Sequence, residues 1–70
     1  MITLIEAFHL CKIRDDEIVH LRRRGESRIW SAAYTGKEIR NKRDMKATKV
    51  LSITPHFCFG EFEGMEFEIK

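Results

Sequence analysis

His9-Leu10-Cys11 and His56-Phe57-Cys58 are two His-x-Cys units, four side chains able to bind zinc if the fold brings them together. In a strand both ligands of such a unit point to one side. In a helix, positions two apart do not face each other, and structural zinc sites use spacings of about two to four intervening residues. The spacing therefore reads Cys11 and Cys58 as small buried free thiols and His9 and His56 as residues at solvent edges, with no metal and no cofactor expected. A nucleophilic pair could be drawn from the same residues, or from a serine and His20. The chain has no nucleophile elbow, no phosphate-cradling glycine loop and no paired acids in an apolar setting. No enzymatic activity is expected.

Charge is the second chemical signal. Residues 1 to 50 carry an excess of bases, net +5, whereas residues 51 to 70 set Lys70 against Glu61, Glu63, Glu66 and Glu68, net −3. Arg22, Arg23, Arg24 and Arg28 cluster in one segment, and Lys37, Arg40, Arg43 and Lys46 in another. If the two segments are neighbours they form a surface for DNA or RNA backbone, because such affinity comes largely from counterion release. The competing reading is a solvated helix face and a charged hairpin tip. Phe57 and Phe59 lie near Glu61, Glu66 and Glu68, acids that would repel phosphate, so this second region reads as core or as a patch for a protein partner.

Local patterns define the elements that would position these groups. Thr3 and Glu6 have capping-box spacing ahead of Leu4, Ala7, Phe8 and Cys11, which share one helical face. Glu17 to Arg24 and Ser27 to Tyr34 flank Gly25-Glu26 and predict a hairpin. With Arg24 facing Ser27, Leu21 faces Trp30 and Val19 faces Ala32, while Ile18, His20 and Arg22 share the other face. That register opposes Arg23 to Arg28, an unfavourable pair that argues for a longer turn. Thr35 and Glu38 repeat the capping box, with Tyr34 and Ile39 as a hydrophobic staple, and predict a short surface helix from Gly36 to about Asp44. Lys49 to Thr54 reads as a strand, and Pro55, with no N–H to donate to a ladder, marks an edge or a corner. Glu63-Gly64 then reads as a two-residue turn pairing Phe62 with Met65, Gly60 with Phe67 and Cys58 with Ile69, with the glutamates on an exposed face.

Thr35-Gly36-Lys37-Glu38-Ile39 and the run from Met45 to Val50 resemble the opening helix and turn of helix-turn-helix proteins. That resemblance implies a recognition helix over Lys46 to Ile53. Arg40, Arg43 and Asp44 depart from the pattern, where a small residue, an apolar one and a glycine are usual.

The order of elements predicts a single α+β domain over residues 1–70: an antiparallel sheet of about four or five strands in two hairpins, packed with two short helices. A chain of 70 residues buries only about 60% of its unfolded surface, which disfavours a deep catalytic cavity. No apolar run approaches the ~20 residues of a membrane span, and the segment Met1 to Glu6 has no basic n-region, so a cytoplasmic location is expected, with no membrane partner. The composition and motifs together predict a small non-enzymatic binding protein. Its expected partner is DNA or RNA through the basic residues, or alternatively a protein through Phe57, Phe59, Glu61, Glu66 and Glu68.

Overall fold

The computed structural model describes residues 1–26 and 31–70. The parts of the first hairpin that fall on Ser27, Arg28, Ile29 and Trp30 lie outside the described residues. The described chain runs α1 (Leu4–Cys11), β1 (Ile18–Arg23), β2 (Ala32–Thr35), α2 (Gly36–Arg40), α3 (Arg43–Lys46), β3 (Val50–Cys58) and β4 (Glu61–Ile69).

Both capping boxes form as their spacing predicts. The Thr3 hydroxyl accepts from the Glu6 amide at 3.3 Å while a Glu6 carboxylate oxygen accepts from the Thr3 amide at 2.9 Å. Thr35 and Glu38 make the same exchange at 3.1 and 3.0 Å. These bonds satisfy orphan donors of the first turn and hold the Glu6 and Glu38 carboxyls below the usual carboxylate range. The second helix is shorter than its pattern suggests. It stops at Arg40, Lys42 takes an extended conformation, and a separate single turn resumes at Arg43. Ile39 anchors this region in the core with no solvent exposure, and Met45 packs against the same cluster.

The four strands form one sheet in the order β2-β1-β4-β3. β1 pairs antiparallel with β2 and parallel with β4, and β4 pairs antiparallel with β3. The class is α+β, but the sheet is mixed rather than antiparallel, because β4 folds back on β3 and lies between it and β1, parallel to β1. Two registers also change. In the first hairpin Val19 faces Tyr34 and Leu21 faces Ala32, two residues along from the shortest turn, a shift that preserves which side chains share a face. In the second, the turn is at Phe59-Gly60, so Phe57 faces Phe62 and Cys58 faces Glu61. The strand Lys49 to Thr54 and the run beyond Pro55 are therefore one long edge strand, with a register shift between Pro55 and Phe57 where proline has no N–H to donate. A strand at Val50–Cys58 also removes the recognition helix that the helix-turn-helix resemblance requires.

One face of the sheet carries Val19, Leu21, Phe67 and Ile69, which bury against Leu4, Ala7 and Phe8 of α1 and Ile39 of α2. The Phe8 and Phe67 rings meet with centroids 5.3 Å apart at the centre of this layer. Cys11 and Cys58 are free and half-buried.

Gly64 explains why Glu63-Gly64 is not the turn. Its φ is +103°, and a Cβ there would collide with the carbonyl oxygen of Ile18, so glycine is needed where β4 first runs alongside β1. Gly60 has φ +81° but faces open space. Gly64→Ala is thus expected to destabilise by more than about 2 kcal/mol, and Gly60→Ala by about 1 kcal/mol, in urea unfolding.

The depressed carboxyls of Glu6 and Glu38 fix the sign of a pH effect. Their contribution to stability is complete above the usual carboxylate range and is lost as pH falls through the lower folded-state value. Thr3→Ala with Thr35→Ala removes the hydroxyls but keeps the backbone N–H groups that contribute most, so both carboxyls should move only part of the way back toward the usual range in an NMR titration and the acid limb of the melting curve should flatten in part.

Candidate functional site

The other face of the sheet is polar, set by the alternation of β1 and β4. His20 lies beside Glu66 and Arg22 beside Glu68 in the parallel register, and β3 brings Ser52 opposite Glu68. These groups form a network. Arg22 Nε meets Glu66 Oε2 at 3.4 Å and Arg22 Nη1 meets Glu68 Oε2 at 3.2 Å. Ser52 donates to the other Glu68 oxygen at 3.1 Å, and His56 Nδ1 lies 3.1 Å from Glu66 Oε1. Glu66 is buried, so it is not the exposed docking acid that simple alternation suggests, and Glu68 is half-buried.

Next to this network the His20 and His56 rings stack, with centroids 3.8 Å apart and planes at 16°. His20 Nε2 lies 3.0 Å from the backbone carbonyl of Glu63. Among the described residues, the His, Cys, Asp and Glu side chains close enough to share a metal are His20, His56 and Glu63, with ligand atoms within 4.8 Å of one another. Neither cysteine belongs to this group, so the two His-x-Cys units do not converge. The real grouping joins one histidine of those units to a third histidine, through a strand pairing that local spacing does not encode.

The basic residues divide. Arg22 is spent on the carboxylates of β4. Arg40 binds Asp15 and the carbonyl of Ile13, and its guanidinium lies 5.5 Å from the Phe8 ring centroid. Both are tied to groups of the same chain, Arg22 largely buried and Arg40 half-buried beside an exposed Asp15. Arg23, Arg24, Lys37 and Arg43 are exposed, Lys46 is half-buried, and Arg28 lies outside the described residues.

β3 and β4 extend past the end of β1, since β1 pairs with β4 only from Met65 onward. The projecting hairpin, roughly Pro55 to Gly64, carries Phe57, Phe59 and Phe62 at 59, 102 and 57% exposure. Phe57 and Phe62 face each other across the strands with ring centroids 5.9 Å apart. Phe59 occupies the first position of the turn with φ 51°, followed by Gly60, a pattern of two positive φ values that usually selects Asn-Gly. Glu61 and Glu63 are exposed on the same hairpin. The sequence flagged Phe57 and Phe59 but placed Phe62 in an uncharged sheet face, because it assumed a turn four residues too late.

Truncating Arg22 removes the guanidinium from a buried carboxylate. Arg22→Ala is therefore expected to destabilise by about 3 kcal/mol, against about 0.5 kcal/mol or less for exposed Arg23→Ala, in paired denaturant titrations. Comparison of the chain with protein-family models, with curated proteins and with solved structures finds no match in any of the three.

Proposed function

We propose that the protein is a non-enzymatic binding module whose β3–β4 hairpin docks into an apolar cleft of another protein. The observation that carries this reading is Phe59. Its ring gains nothing from the fold, being fully exposed, and its backbone sits in the left-handed region that disfavours a bulky L-residue. Neither packing nor turn chemistry accounts for phenylalanine there; insertion into a partner does. Phe57 and Phe62 flank it as further aromatic anchors, the residue class that dominates interface cores.

Charge narrows the partner. Between Val50 and Ile69 the chain has no lysine or arginine, and the same hairpin exposes Glu61 and Glu63. The fitting cleft is apolar at its centre and basic at its rim. A second reading, contact with DNA or RNA backbone, keeps the exposed Arg23, Arg24, Lys37 and Arg43 together with Lys46. It loses Arg22 and Arg40, which are neutralised by acids of the same chain.

The two readings separate in one set of variants. A photo-reactive residue at position 59, installed in cells that make the protein, identifies the partner, whose affinity is then measured for purified proteins. Phe59→Asn supplies the residue the turn prefers, so it should stabilise the fold by about 0.5 to 1 kcal/mol while weakening partner binding by tenfold or more. Unchanged affinity in Phe59→Asn and Phe62→Ala sinks the hairpin reading. Steeply salt-dependent binding of labelled nucleic acid, lost in Arg23→Ala with Arg43→Ala, favours the second one.

A further inference from the structure

We propose that His20, His56 and Glu63 form a binding site for a divalent transition metal of the zinc type. Three strands each contribute one ligand: His20 from β1, His56 from β3 and Glu63 from β4. The site shares Glu63 with the hairpin of the docking reading but uses none of its aromatic rings, so Phe59→Asn and Phe62→Ala test that reading without touching a ligand.

Hydrogen bonding prepares both imidazoles. A carbonyl oxygen only accepts, so the contact with the Glu63 carbonyl places the proton of His20 on Nε2 and leaves the Nδ1 lone pair free. A carboxylate also only accepts, so Glu66 fixes the proton of His56 on Nδ1 and frees Nε2. This is the outer-shell arrangement of metal-binding histidines, in which the second nitrogen donates to a carbonyl or carboxylate that sets the tautomer and the ring orientation. With the Glu63 carboxylate the set is two nitrogens and one oxygen, which suits zinc and its neighbours and not the oxygen-seeking calcium or magnesium. Three protein ligands leave a position for water.

Access and charge agree with this assignment. His20 and Glu63 line an open hollow of about 800 Å³ whose wall also carries Asp16 and Glu17, with Arg14 paired to both acids. The excess of carboxylates along this route draws a cation inward.

The metal-free geometry must tighten. One nitrogen or oxygen of each side chain already lies within 4.8 Å of the others, and His20 Nδ1, His56 Nε2 and a Glu63 carboxylate oxygen have to come to about 3.4 Å of one another for tetrahedral bonds of about 2.1 Å. The stacked rings must also turn relative to each other, because a metal in the plane of one ring lies off the plane of the other. The movable members are evident. Glu63 is exposed, and His56 is half-buried on an edge strand at its register shift, whereas His20 is buried at 7% exposure in an interior strand.

The test uses the full chain, purified without a histidine tag and stripped with EDTA, titrated calorimetrically with zinc chloride and followed with cobalt by visible absorption. One zinc per chain and a rise in melting temperature are expected. Glu63→Ala, which keeps the backbone carbonyl and changes an exposed side chain, should weaken zinc tenfold or more and leave the metal-free melting temperature unchanged. His56→Ala should weaken it similarly, and Cys11→Ser with Cys58→Ser should have no effect. The assignment is overturned by absence of stoichiometric zinc, or by zinc binding that survives Glu63→Ala with His56→Ala.

Discussion

One buried carboxylate organises the polar half of this protein. Glu66 sits in β4 between two neighbouring strands, and its two oxygens face Arg22 from β1 and His56 from β3. Desolvating a carboxylate is costly, and only well-placed donors recover the cost, so the strands on either side must stand where those donors reach it. Hydrophobic burial of Phe67 and Ile69 on the opposite face supplies the driving force without fixing such detail, since apolar contact is non-directional. The directional bonds of Glu66 distinguish the observed strand pairing from a slipped alternative. The same bond that holds His56 in place also sets which of its nitrogens is free.

What could be read from the sequence divides by range. Thr3-Glu6 and Thr35-Glu38 were legible because a capping box closes within one turn of chain. The alternation of Val19 and Leu21 with His20 and Arg22 was legible because a strand has a period of two, and it survived a shift of two residues in register. Glu63-Gly64 misled because glycine after a polar residue looks alike in a turn and at a close crossing of strands. Only the carbonyl of Ile18, far away in the chain, shows which role Gly64 has. The parallel pairing of β1 with β4 has no local signature, and everything that depends on it was hidden: the mixed sheet, the burial of Glu66 and the meeting of His20 with His56.

Charge counting met the same limit. Arg22 and Arg23 are adjacent in the chain, yet one is folded among acids and the other is exposed. The alternation of the strand separates them, and composition cannot. Arg40 illustrates the helical version: its guanidinium turns back to Asp15 and the Ile13 carbonyl, tying α2 to the segment that follows α1. Cations of this kind cement the elements together, and a surface estimate that includes them overstates the field a phosphate would meet.

The central position of β4 also governs when the sheet can exist at all. β1 is made early but has β4 as one of its two neighbours, and β3 has β4 alone. On a ribosome adding residues at about 5 to 20 per second, the chain up to Cys58 emerges with β1, β2 and the helices but without Phe67 and Ile69, the β4 side chains that complete the apolar layer. Assembly waits until Glu61 to Ile69 has left the exit tunnel, and then most long-range contacts form together. This sheet is completed only after β4 is synthesised, and chaperones that guard exposed apolar segments have their opportunity in that interval.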